Sequence, residues 1–169
     1  LVRIVRKVAQ YFYPQRQTQV MNEGWATFWH HKLLNTLYDD GYLTDGVMIE
    51  WLKSHTNVVY QPRVGERGYT GLNPYALGFA MYTDIKRICD KPTDEDREWF
   101  PNIAGQPWLP VLDQAMRNFK DESFIGQYLS PKLMRDFRLF SIVDDEKESE
   151  LEVSAIHDEA GYRAVREAL

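Results

Sequence analysis

The sequence predicts a predominantly helical α+β protein, with a helical unit over residues 1–135 and a ββα unit over 136–169. Three observations predict it. Apolar residues recur at spacings of three and four through most of the first 135 positions. Helix start and stop residues punctuate that pattern, most clearly at Asn73-Pro74. After residue 136 the period changes to two.

Residues 1–13 form an amphipathic helix with Val2, Val5, Ala9 and Phe12 on one stripe, and Pro14 is expected to break it. A long helix runs from about Thr18 to Asp39, with Gly41 as its C-terminal glycine. Asp45 to His55 is a third helix, with Val47, Met48, Trp51 and Leu52 facing inward. Residues 56–72 read as a long loop marked by Pro62, Gly65, Gly68 and Gly71; loops of that length are often functional. No strand precedes these glycines and no Gly-Lys-Ser/Thr follows, so they make no phosphate loop.

The helix begun by Asn73-Pro74 reaches about Asp90. Tyr75, Phe79 and Tyr82 line one side of it, and Ala76 and Ala80 leave room for another helix. Thr93 caps a short acidic turn to Trp99, helices follow at about 107–120 and 122–129, and Ser130-Pro131 opens one more turn. Phe137 to Val143 and Leu151 to Ile156 then alternate as the strands of a hairpin, before a helix over Glu159–Leu169. A lone hairpin is marginal in water, so it is expected to pack on the helices or on strands outside this chain.

Composition bounds the function. Of the 169 residues 44% are hydrophobic and 27% charged, which suits one globular domain with a small appendage. The absence of any apolar run near 18 residues argues against a membrane span. The net charge of −5 argues against general nucleic-acid binding. Charge is uneven: residues 144–159 hold eight acids against Lys147, whereas Arg3, Arg6, Lys7, Arg16 and Lys32 face only Glu23 over residues 1–35. Cys89 is the single cysteine, so no internal disulfide forms, and it reads as a free core thiol. The chain opens at Leu1 without a cap and stops within a helical pattern, which points to a fragment of a longer protein.

The candidate chemistry lies in Asn22-Glu23-Gly24-Trp25-Ala26-Thr27-Phe28-Trp29-His30-His31. Glu23 and His30 share a helix face but stand about 10.5 Å apart along the axis; Trp25, Phe28 and Trp29 cover the other side. A charge on a helix that is apolar nearly all round needs a partner. Two interpretations stay open: a hydrogen-bonded structural network, or a metal or catalytic site in which one of the two residues is a ligand and the other either orients the ligands or faces substrate. His31 sits one step off that face and reads as exposed. His55, at a helix end, reads as favouring the helix dipole, and Asp158 of His157-Asp158-Glu159 as a cap. No complete catalytic motif occurs.

Four runs carry a resemblance. Tyr11-Phe12-Tyr13-Pro14-Gln15, Val20-Met21-Asn22-Glu23-Gly24-Trp25-Ala26, Asn73-Pro74-Tyr75-Ala76-Leu77-Gly78-Phe79-Ala80-Met81 and Asn118-Phe119-Lys120-Asp121-Glu122-Ser123-Phe124 resemble the stage V sporulation protein R family, as do Phe137 to Ile142 and Leu151 to Asp158. The resemblance spans essentially the whole chain. It implies a C-terminal-half fragment of a bacterial, cytoplasmic protein whose N-terminal half is its first partner. The family's name implies a role in spore cortex formation, with a regulatory or scaffold activity and a further protein partner.

Glu-Gly-Trp-Ala is also similar to a motif of zincin-like metallopeptidases. That likeness implies Glu23 as a zinc ligand in the full-length protein, with His30 and Tyr75 lining the pocket and the remaining ligands upstream of this chain. The activity it implies is hydrolysis of peptide or peptidoglycan amides. The fragment alone is then expected to be inactive and to hold no cofactor of its own.

Overall fold

A computed structural model describes residues 1–63 and 66–137. They form eight helices: α1 (Val2–Arg16), α2 (Gln19–Asp39), α3 (Asp45–Val58), α4 (Pro74–Asp90), α5 (Asp94–Trp99), α6 (Trp108–Asn118), α7 (Asp121–Tyr128) and α8 (Pro131–Phe137). The α+β expectation is therefore corrected: among the described residues every element is a helix and none is a strand. Phe137, assigned by the sequence to the first strand, closes α8 instead. Leu133, Met134 and Phe137 keep helical spacing, and burial of Leu133 and Met134 rewards that register. The rest of the expected hairpin, the helix over 159–169 and nearly all of the 136–169 unit lie outside the described residues.

The centre of the fold is the pair α2 and α4. α3 and α7 pack on α2, and α6 and α8 on α4. The pair meets backbone to backbone: a Cβ on Gly24 would lie 2.4 Å from the Gly78 carbonyl carbon, and a Cβ on Gly78 2.2 Å from the Val20 oxygen. The sequence placed close approach at Ala76 and Ala80; the glycines take that role, and Ala76 is simply buried. Around the crossing, Met21, Phe28, Leu77, Met81, Tyr82, Ile85, Leu112, Phe124 and Leu129 form the core. Each such side chain contributes roughly 1.5–3 kcal/mol relative to exposure.

Polar side chains lock the arrangement at two places. Asp121, at the start of α7, accepts the Val20 and Met21 amides at 2.9 Å each. It satisfies donors that the preceding Thr18 leaves without a side-chain cap. Arg87 on α4 pairs with Asp84 at 2.6 Å and with both oxygens of Asp96 at 2.6 and 2.7 Å. Ser130 donates to Asp84 at 2.5 Å and accepts the Leu133 amide. One network thus joins α4, α5 and α8. Burial alone would raise the Asp96 pKa; hydrogen bonds from Arg87 and Thr93 overcome it and hold Asp96 at about 2. Cys89 is buried as expected, and that burial pushes its thiol up to about 11.

Two helical expectations are corrected. Pro14 lies inside the last turn of α1 rather than ending it; its ring supplies a helical φ, and the bond it cannot donate falls in an exposed turn. α3 buries Met48, but Val47 is 51% and Leu52 40% exposed, so the inward face is narrower than its apolar pattern. No helix among the described residues is long and apolar enough to cross a membrane.

Candidate functional site

Glu23 and Tyr75 come from helices 52 positions apart in sequence and meet because α2 crosses α4 one residue later, at Gly24. Asn73 sets Tyr75 in place. Its side chain accepts the Tyr75 amide at 3.0 Å and donates to the Val58 and Tyr60 carbonyls at 2.8 and 3.0 Å. Gln61 ties the other side of the loop, accepting the Asn73 amide and donating to the Pro62 and Gly71 carbonyls. Gly71, at φ +116, takes a conformation that L side chains rarely adopt. The predicted loop is thus closed by two amide side chains, and its closure fixes the start of α4.

Tyr75 comes to Glu23: hydrogen bonding toward that carboxylate, then its charge, then burial raise the phenol's pKa. Glu23 is half-buried, so the partner its charge needs is a phenol. His30 is exposed and sits edge-on to Trp51, with ring centroids 5.7 Å apart. The structure therefore groups Glu23 with Tyr75 and His30 with α3.

Spacing alone did not reveal a second cluster. His31 is the half-buried imidazole, while its neighbour His30 is the exposed one, the reverse of the expected order. The His31 ring lies 5.0 Å from His55, 5.3 Å from Phe79 and 5.6 Å from Trp51. His55 stands 4.9 Å from Phe79 and 5.2 Å from Trp51. Burial lowers the His31 pKa; burial, then His31 and His30, lower that of His55. His55 is thereby favoured as a neutral ring in an aromatic stack, rather than as a cation at the end of α3. The available signal was His31 and His55 each falling four residues from another ring-bearing or amide side chain: Asn35 binds the His31 carbonyl at 2.7 Å, and Trp51 precedes His55 by one turn.

Chemically, Glu23 with Tyr75 is a carboxylate beside a phenol hydroxyl, able to accept a proton or supply one oxygen to a cation. It is one donor. Among the described residues no group of three His, Cys, Asp or Glu side chains is placed to hold a metal ion. These residues therefore do not by themselves fit a zinc centre. His157, Asp158 and Glu159 lie outside the described residues.

The chain is 64% identical over all 169 residues to the uncharacterized protein YcgB of Escherichia coli (strain K12). It spans 33% of that relative's length. No solved structure matches it. The family model described as SpoVR like protein matches residues 1–169, and the chain belongs to the SpoVR-like family.

Proposed function

We propose that this chain is the docking part of a regulatory or scaffold protein, acting in the cytoplasm in a bacterial sporulation or stress programme, and that its first partner is the remainder of its own polypeptide. The observation that supports this is α1. No residue of this 15-residue helix is buried, and Val2, Ile4, Val5, Val8 and Phe12 are all at least 49% exposed. An amphipathic helix of that length gains most of its stability by burying its apolar face. The relative's extra length provides chain to cover it. Hydrogen exchange on the full-length protein tests the idea. α1 amides should be protected, and Val5→Asp with Phe12→Asp should remove that protection while leaving α4 unchanged. Rapid exchange of α1 in the parent refutes it.

A second interpretation draws on the Glu23–Tyr75 pair: a metal-dependent hydrolase of peptide or peptidoglycan amides, with Glu23 as one ligand and the others elsewhere in the full-length protein. Metal content separates the two. Untagged full-length protein is measured by mass spectrometry beside Glu23→Ala. Stoichiometric metal that disappears in the variant favours the hydrolase; a metal-free parent removes it.

A further inference from the structure

Beyond the Gly24–Gly78 contact, α2 and α4 leave a groove of about 330 Å³, within the range of small-molecule sites. Phe28 and Phe79 give it apolar walls. Its polar groups are unequal. His31 and Lys32 on α2 and Lys86 on α4 border it, and Asp39 lies two turns beyond His31. The Lys32 and Lys86 ammoniums each stand 5.2 Å from the centroid of the Trp108 ring. One indole thus holds two like charges, which repel. Lys86 is offset by an ion pair with Asp90. Lys32 has no carboxylate within ion-pair distance among the described residues, so the indole is the group that holds it in place.

Lys32 lines the same groove as the two phenyl rings while its ammonium stands over the Trp108 indole, and an apolar wall paired with a cation matches a ligand with a flat apolar body and one negative group. We propose that this groove binds a small planar aromatic anion, with its ring against Phe28 and Phe79 and its anionic oxygens on Lys32. Asp39 sets the polarity: it repels the anion from the far end. Protonation of His31 adds positive charge to the near end. The charged and titratable groups around that imidazole are Lys32 and Asp39 on α2, with His30 beside it, His55 on α3 and Lys86 on α4. Binding therefore strengthens as pH falls through the His31 titration. Neither Glu23 nor Tyr75 borders the groove, so the inference stands apart from both functional interpretations.

Calorimetric titration of the full-length protein with 2-naphthoate, and with the neutral 2-naphthalenemethanol, tests it. Naphthoate should bind saturably with one site, at least about tenfold more tightly than the alcohol, the factor expected of one charge-assisted bond. Lys32→Gln should weaken naphthoate by about the same factor. Thr83→Phe, at an exposed position on the groove, should abolish binding without disturbing the core, and so decides the matter if the lysine variant misfolds. Absence of saturable binding, equal affinity for the two probes, or naphthoate affinity unchanged in either folded variant overturns the proposal.

Discussion

Gly24→Ala isolates the packing of the α2–α4 pair, because two known effects predict opposite signs. Alanine in a helix interior is favoured over glycine by about 0.8–1 kcal/mol. Its Cβ, however, would sit 2.4 Å from both the carbonyl carbon and the Cα of Gly78. Restoring a carbon–carbon separation near 3.5 Å moves the helices apart by about 1 Å, and a gap of that size forfeits a quarter to a half of the contact energy across it. Met21, Leu77 and Met81 are the core side chains next to the crossing, and all three are at most 2% exposed. Overpacking costs of about 1–3 kcal/mol, and more where backbone opposes backbone, then exceed the propensity gain. We expect a net loss of roughly 2 kcal/mol, or about 4–8 °C in Tm for a chain of this size. Gly78→Ala, with its Cβ 2.2 Å from the Val20 oxygen, should lose at least as much. Gly46→Ala in α3 meets nothing within 4 Å and should raise Tm slightly. Thermal melts followed by circular dichroism give all three values. A rise in Tm for Gly24→Ala comparable to that of Gly46→Ala would refute the close-contact account.

Arg87→Met leaves Asp84 and Asp96 buried without their cation and should destabilise by about 3 kcal/mol in urea unfolding; an unchanged midpoint would show that the network contributes little. Asp96 has a folded pKa of about 2, below its unfolded value, so its contribution is complete above about pH 4 and is lost as pH falls towards 2. Arg87→Met should flatten that acid limb of the stability curve. The lowered imidazole pKa values of His31 and His55 work on a higher window: their contribution is full above the unfolded value near 6.5 and declines as pH falls through the folded values. NMR titration should place both midpoints below 6.5, and His31→Phe with His55→Phe should remove this part of the pH dependence. Midpoints at or above 6.5 would contradict the buried stack.

Local features were legible where the cause was local. The Asn73-Pro74 start, the Thr93 cap and the end of α2 before Gly41 follow from residues within a few positions of the backbone they control, and the structure places all three where the sequence does. Phe137 was not legible in the same way. Its alternation with the residues after it and its helical spacing from Leu133 are both present in the sequence, and only packing on the core chooses between them. Glu23 stood out as a charge on an apolar helix, but its partner Tyr75 depends on where α4 crosses, and that is set by Gly24 and Gly78 in concert. The order of His30 and His31 was reversed for a related reason: neighbouring positions on a helix point about 100° apart, so the placement of α3 decides which one is covered.

The two amides that Asp121 receives at the start of α2 also bear on the order of synthesis. A ribosome makes the Glu23 helix about a hundred residues before it makes the carboxylate that finishes the first turn of that helix. Until then the turn must fray or borrow another acceptor, and α2 has no fixed beginning. The segment that presents Glu23 to Tyr75 therefore reaches its final register late, and any interruption of the chain before α7 leaves it unfinished.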